Sequence, residues 1–231
     1  MRRLPIYILA QTSKSMLGEP IESVNNAIQT LYTALRRDLD VCELAWISMT
    51  TYASEATQII TLTEVSNLVP PVLTASSQAN LDKALQKIAE CANREIVNRT
   101  DYHPVLFMFT NGVCFGGIEN GLNALRTVKW GYIEIVCVGE QPNVVLLQQI
   151  TKNISIIENC NVELFFSNKR LSHWFRTRYY DDLDISYDAI SGEFFDIHRD
   201  EYYRVANDGK IYDIRYGKEL PPLPPEVRFE P

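Results

Sequence analysis

Short, nearly unbroken apolar runs alternate with longer amphipathic segments from the start of the chain to about residue 175, and this alternation leaves few folds open. Runs such as Val105–Phe109 are apolar at every position, as happens when both faces of a parallel sheet are covered. Strands are expected over 4–10, 42–52, 56–63, 104–110, 132–139 and 154–158, with helices over about 19–37, 80–98, 118–128, 142–151 and 161–176. In the first helix Ile21, Val24, Ile28, Leu31 and Leu35 recur at helical spacing, and in the second Leu81, Ala84, Leu85, Ile88 and Ala92 do the same. Asn80 is placed to cap the second helix, and Pro142 or Asn143 to start the fourth. Ala53–Glu55 alone separate the second and third strands, which therefore form a hairpin. The expected fold is α/β in three layers: a mostly parallel central sheet, helices on both faces and one antiparallel edge strand.

After Trp174 the composition changes to crowded tyrosines and aspartates, then Asn207-Asp208-Gly209, then the proline-rich end LPPLPPEVRFEP. This divides the chain into a domain over 1–176 and a small β-rich appendage over 177–231. Two to four short strands are expected in the appendage. One hairpin is flanked by Val205 and Ile211, with Tyr203 and Tyr212 facing across it. Tyr179, Tyr180, Phe194, Tyr202 and Tyr203 are the candidate interface residues here, with packing against the α/β domain as the alternative. Pro221, Pro222, Pro224 and Pro225 give an extended arm, a strap or a linker.

The formal net charge of −7 over 231 residues repels phosphate backbones, which argues against nucleic acid as partner. The apolar run Leu4–Ala10 contains Pro5 and Tyr7 and is too short to span a membrane. It reads as a buried strand, with a truncated secretion signal as the alternative. Five cysteines, Cys42, Cys91, Cys114, Cys137 and Cys160, are odd in number and far apart, so core thiols in a reducing, cytoplasmic setting are expected. Cys42 and Cys137 fall in strand-like runs, and Cys114, in a loop, is the candidate reactive thiol. His103, His173 and His198 lack metal-ligand spacing, and the acidic stretch 181–184 lacks that of a calcium loop. No cofactor is expected.

In open parallel sheets ligands bind outside the carboxyl ends of the strands. That singles out three loops: Gln11–Ser15, Ser76–Asn80 and Thr110–Gly112. The opening MRRLPIYILAQTSKSMLGEPIESVNNAIQTL resembles the tellurium-resistance TerY-like branch of von Willebrand factor A domains, whose pattern is Asp-x-Ser-x-Ser followed by Met and Gly-Glu-Pro-Ile. PVLFMFTNG stands where the family has an apolar strand ending in Thr-Asp-Gly, and YIEIVCVG matches the next strand. The resemblance covers about residues 1–175 and implies a Rossmann-like layering.

In that family a first-loop aspartate and two serines, a second-loop threonine and a third-loop aspartate hold a divalent metal, which a partner's carboxylate completes. Carried over position by position, this chain has Gln11, Ser13, Ser15, Ala79 and Asn111, with Lys14 where glycine is usual. Both carboxylates have become amides and the threonine an alanine, unless Ser76 or Ser77 takes its place. Mg²⁺ sheds water reluctantly and needs carboxylates or phosphates; each lost charge removes roughly 4 kcal/mol at an effective dielectric near 20. The resemblance therefore implies a bacterial, non-enzymatic interaction module with a degenerate metal site. Its expected partner is a protein, with kinase- or phosphatase-like stress-response components among the candidates, and phage defence or toxin control stands on the same footing. The alternatives are a metal-dependent adhesion receptor using Ser13, Ser15 and Glu19, and a hydrolase using a first-loop serine. That serine lacks the GxSxG elbow. Lys14 is either a solvated loop lysine or an internal stand-in for the cation.

Overall fold

A computed structural model describes residues 3–37, 39–96, 101–139, 142–157 and six short strands beyond residue 177. The first sheet grows from its centre. β1 (Leu4–Gln11) is buried at all eight positions because it has a parallel neighbour on each side and a helical layer on each face. Those neighbours are β2 (Ala45–Tyr52) and β4 (Val105–Thr110). β5 (Tyr132–Val138) and β6 (Ile154–Ile157) extend the sheet beyond β4, and β3 (Ala56–Glu64) runs antiparallel at the other end, giving the order β3-β2-β1-β4-β5-β6. This is the expected α/β architecture with its one antiparallel edge strand.

The period of two sorts the side chains onto two faces. Tyr7, Leu9, Leu106, Met108, Ile135 and Cys137 pack with Leu81, Leu85, Ile88 and Leu125, on the side of α3 (Leu81–Glu95) and α4 (Glu119–Leu125). Ile6, Ile8, Phe107, Phe109, Val136 and Val138, also buried, alternate to the other face. There α1 (Glu19–Arg37) buries Val24, Ala27, Ile28, Leu31 and Leu35. Val24, Ile28, Leu31 and Leu35 each contribute about 1.5–3 kcal/mol on burial. Glu19 and Glu22 in its first turn and Arg36 and Arg37 in its last complement the helix dipole of α1. Arg36 also caps the carbonyls of Val65, Ser66 and Leu68. Asn80 caps α3, accepting from Lys83 N–H at 3.0 Å, and Asn143 caps α5 (Val144–Leu147).

Several boundaries differ from the sequence expectation. Residues 39–42 form a short helix, α2 (Leu39–Cys42), so Cys42 ends a helix and β2 starts at Ala45; an apolar run alone does not distinguish the two. α4 and α5 are shorter than expected because their segments finish in turns. The helix expected at 161–176 lies outside the described residues, as do Cys160, His173, His198, the acidic stretch 181–184 and the proline arm.

The chain divides into two compact units, Met1–Ser172 and His173–Pro231. The second holds an antiparallel meander of six strands rather than two to four: β7 (Arg178–Tyr180), β8 (Ile185–Asp188), β9 (Glu193–Asp196), β10 (Glu201–Val205), β11 (Ile211–Asp213) and β12 (Glu219–Leu220). Strands of two to five residues carry too little periodicity to be recognised in sequence. Val205 pairs with Ile211, and the five residues between them set the partners that follow: Tyr203 faces Asp213, and Tyr212 faces Arg204. Tyr203 and Tyr212 are therefore not opposite each other. Tyr179 and Tyr180 lie on β7, Phe194 on β9, and Tyr202 and Tyr203 on β10, with Tyr203 opposite Phe194.

Two predictions arise from the first unit's core. The buried Tyr32 hydroxyl has no hydrogen-bond partner among the described residues, so Tyr32→Phe should raise stability by about 1 kcal/mol; a lower melting temperature for the variant would contradict this. Burial also pushes the Cys137 thiol up to about 11 and the Tyr32 phenol up to about 12, and shifts Tyr7 and Tyr52 upward as well. The native state keeps these protons where the unfolded chain releases them. The resulting stability is complete below roughly pH 9 and declines as pH rises from there through the folded values. Urea midpoints at pH 8 and pH 10.5 check it, and equal midpoints would refute it.

Candidate functional site

The three loops singled out in the sequence converge at the carboxyl end of the first sheet. Gln11 is the last residue of β1 and lies opposite Tyr52, the last of β2. It is fully buried. Its carboxamide orientation is fixed by two backbone groups of opposite character: Oε1 accepts from Asn111 N–H at 3.1 Å, and Nε2 donates to the Val113 carbonyl at 3.2 Å. Nε2 also lies 2.7 Å from Ser13 Oγ and 3.1 Å from Ser15 Oγ. With two hydrogens and three acceptors, it serves two of them at a time. Behind it, the Thr110 hydroxyl donates to Gln11 Oε1 at 2.5 Å while accepting from Tyr52 OH at 3.0 Å and from Gly112 N–H at 2.9 Å.

Asn111 is held as firmly. Its Nδ2 donates to the Ser15 carbonyl at 3.0 Å, and its Oδ1 accepts from Val113 N–H at 3.0 Å and from the Ser15 hydroxyl at 3.4 Å. The turn after it needs glycine: Gly112 has φ +72°, and a Cβ there would stand 2.9 Å from Asn143 N. That nitrogen donates to the Asn111 carbonyl at 3.1 Å, linking the start of α5 to the site.

The second loop is tied in through its backbone. Ser76 N–H donates to Thr12 O at 2.7 Å, Lys14 N–H to Ser77 O at 2.6 Å, and Phe115 N–H to Ala79 O at 3.2 Å. Ala79 is buried. Neither serine of this loop brings its hydroxyl into the cluster among the described residues: Ser77, at φ +64°, turns its hydroxyl toward Ser54 at 3.2 Å, and no Ser76 hydroxyl contact to the cluster is seen. Lys14 is exposed, and its ammonium makes no hydrogen bond or ion pair among the described residues, which fits a solvated loop lysine rather than an internal cation. Burial pushes the Cys114 thiol upward, away from the thiolate that reactivity requires.

Gln11, Ser13, Ser15 and Asn111 are thus brought together by direct hydrogen bonds, whereas Ala79 is tied to the third loop through its carbonyl. Tyr52 is not singled out by the sequence, though it pairs with Gln11, and Thr110 enters there only as the start of the third loop, not for its hydroxyl. Around the cluster the loops expose Leu17, Val113 and Phe115, the last at 62%. No sequence signal marks these as exposed, since single apolar residues in loops are common.

Comparison with known proteins places this geometry. No curated protein matches the chain in sequence. Among solved structures, the proximal thread matrix protein 1 of the mussel byssus superposes with a TM-score of 0.56 at 12% identity, over 73% of this chain and 47% of that one. A von Willebrand factor type A protein of Catenulispora acidiphila gives 0.55 at 12% identity, over 77% and 44%. This chain therefore spans less than half the length of either. Manganese-loaded TRAP protein of Plasmodium vivax gives 0.50 at 17% identity, over 71% of both chains. Identities this low establish the fold and nothing finer. No described helix is long and apolar enough to cross a membrane. The family model of the von Willebrand factor type A domain, a fold that commonly mediates protein–protein interaction, matches residues 6–173, and this chain belongs to that family.

Proposed function

We propose that this chain is a non-enzymatic protein-interaction module that engages its partner through the strand-end loops without a divalent metal. The observation that carries it is the placement of Gln11 Nε2 against Ser13 Oγ and Ser15 Oγ at 2.7 and 3.1 Å. A hydrogen-bond donor stands where a family metal would meet the two hydroxyls. The five equivalent positions offer two hydroxyls, two carboxamides and a methyl group. This donor set does not fit Mg²⁺ or Mn²⁺, which require anionic oxygen. The amide network instead holds the loops in place with neutral hydrogen bonds.

What remains exposed resembles the centre of an interface. In loops 11–18, 76–80 and 110–118 Lys14 is the only charged residue, although the chain carries −7 overall, and Leu17, Val113 and Phe115 are exposed. Depletion of charge with aromatic enrichment is the compositional mark of an interface core. We place the module, by its TerY-like opening sequence, in a cytoplasmic bacterial stress-response system with kinase- or phosphatase-like partners.

Calorimetric titration of the wild-type chain with Mg²⁺ and Mn²⁺ should give no binding heat. Capture of the cellular partner should persist in EDTA and fall at least tenfold with Phe115→Ser. Sub-millimolar metal binding that Ser13→Ala abolishes would establish the metal-dependent receptor instead.

A further inference from the structure

Between β3 and the second loop, residues 68–76 form neither helix nor strand, yet α1 holds the stretch Leu68–Leu73 at both ends. Arg36 donates to the carbonyls of Val65 and Leu68. Asn25 pairs with the backbone of Leu73, donating from Nδ2 to its carbonyl at 3.0 Å and accepting at Oδ1 from its N–H at 2.8 Å. Asn25 and Arg36 stand about three turns apart on α1, roughly 16 Å along the axis. From Leu68 to Leu73 an extended backbone also covers about 16 Å, and a helical one about half of that.

The residues select which extended form this is. Val69 and Pro70 each precede a proline, which keeps them in the β or polyproline II region, and the two rings fix φ at Pro70 and Pro71 near about −65°. Burial then follows the three-residue repeat of polyproline II rather than the two-residue repeat of a strand. Val69 and Val72 are exposed at 83% and 78%, Leu68, Pro70 and Pro71 are half-buried, and Leu73 is buried. The two valines therefore form one ridge, about 9 Å apart. Its chemistry is narrow. Pro70 and Pro71 have no N–H, so another strand cannot add here. The carbonyls from Val69 to Val72 accept no hydrogen bond among the described residues, and no residue from Val65 to Leu81 is charged. A matching surface must offer flat apolar faces to the valines and neutral donors to the carbonyls. Tyrosine and tryptophan side chains supply both.

We propose that the Val69–Val72 ridge is a docking site for a partner protein whose groove is lined by tyrosine and tryptophan, read as a polyproline II segment with Val69 and Val72 as its two anchors. The proline rings and the Asn25 and Arg36 clamps fix the ridge before the partner arrives, which removes the ordering penalty of binding. It uses none of Gln11, Ser13, Ser15 or Asn111 and does not depend on the role of the strand-end loops.

Isolated SH3, WW and EVH1 domains carry grooves of this kind and serve as the probes, titrated by calorimetry against the full chain. At least one should bind with a dissociation constant below about 100 µM. A Val69→Ser, Val72→Ser double variant should weaken that binding at least tenfold with an unchanged melting temperature, since both valines are exposed. A Pro70→Ala, Pro71→Ala double variant keeps the valines but frees the backbone, and should weaken it severalfold; Phe115→Ser should leave it as it is. The proposal is overturned if none of these domains binds at about 1 mM, if binding survives the loss of both valines or of both prolines, or if Phe115→Ser removes it, which would move the contact to the strand-end loops.

Discussion

A Gln11→Asp, Asn111→Asp double variant should acquire micromolar Mn²⁺ affinity where the wild type is expected to give no heat. Aspartate is one methylene shorter than glutamine, so its head group withdraws from the space that Gln11 Nε2 now occupies between the two serine hydroxyls. Two anionic oxygens then face that space. Each restored charge is worth roughly 4 kcal/mol at an effective dielectric near 20. Together they correspond to nearly six orders of magnitude, about 5.7 decades, in affinity. Ala79 withholds a neutral ligand but no charge, so Ala79→Thr should add less than either aspartate. The ion-free double variant should be less stable than wild type, because it loses the donor that Gln11 gives to Ser13 and the Val113 carbonyl. Saturating Mn²⁺ at 100 times the dissociation constant should return about 2.7 kcal/mol. Calorimetry and melting with and without Mn²⁺ provide both readings. A folded double variant that gives no heat with millimolar Mn²⁺ would mean that these loops do not frame a metal-sized site.

The largest effect on stability is expected at the opposite end of the sheet. Asp101, with its side chain fully buried, accepts from Arg3 N–H at 3.1 Å, Nε at 3.0 Å and Nη2 at 2.6 Å. Arg3 Nη2 also reaches the Glu95 carbonyl at 3.3 Å, and the guanidinium lies 5.3 Å from the Trp46 ring centroid. This pair joins the segments that lead into β1 and β4, the two central strands. Asp101→Ala would leave a mostly buried guanidinium and a backbone N–H without their acceptor. The expected cost is 3–5 kcal/mol, a large part of the roughly 5–15 kcal/mol that stabilises a domain, or about 10 °C in melting temperature for a chain of this size. Asp101→Asn, which keeps the acceptor oxygen, should lose less. A melting point within 2 °C of wild type for Asp101→Ala would count against the pair as a structural anchor.

The contrast between these two ends shows what sequence makes legible. The apolar runs that became β1, β4 and β5 are recognisable because strands buried on both faces have no polar side to interrupt them. The loop positions Gln11, Ser13, Ser15 and Asn111 are recognisable because they lie within a spaced motif. The Arg3–Asp101 pair is not, since its partners are 98 residues apart and neither stands in a motif. The parts played by the Tyr52 and Thr110 hydroxyls are not legible for a related reason. Each residue reads as the ordinary end of an apolar strand, and only the parallel register of β1 with β2 and the adjoining β4 brings their hydroxyls to one carboxamide. In the second unit the hairpin joining Val205 to Ile211 is legible from its turn residues, but the number of strands is not, because a three-residue strand contains hardly more than one period of its own pattern.

The hold on Asn111 has a consequence for how the molecule ages. Asparagine before glycine is the pair most prone to losing ammonia, because the glycine nitrogen closes onto the side-chain carbonyl carbon to form a succinimide, which water then opens to aspartate or isoaspartate. Here the Gly112 N–H is committed to Thr110 Oγ1 at 2.9 Å, and both ends of the Asn111 carboxamide are engaged by Ser15 and Val113. Cyclisation requires all of these bonds to open together. The dipeptide therefore keeps time for the loop: it records, irreversibly, how long each copy has spent with the end of its sheet undone.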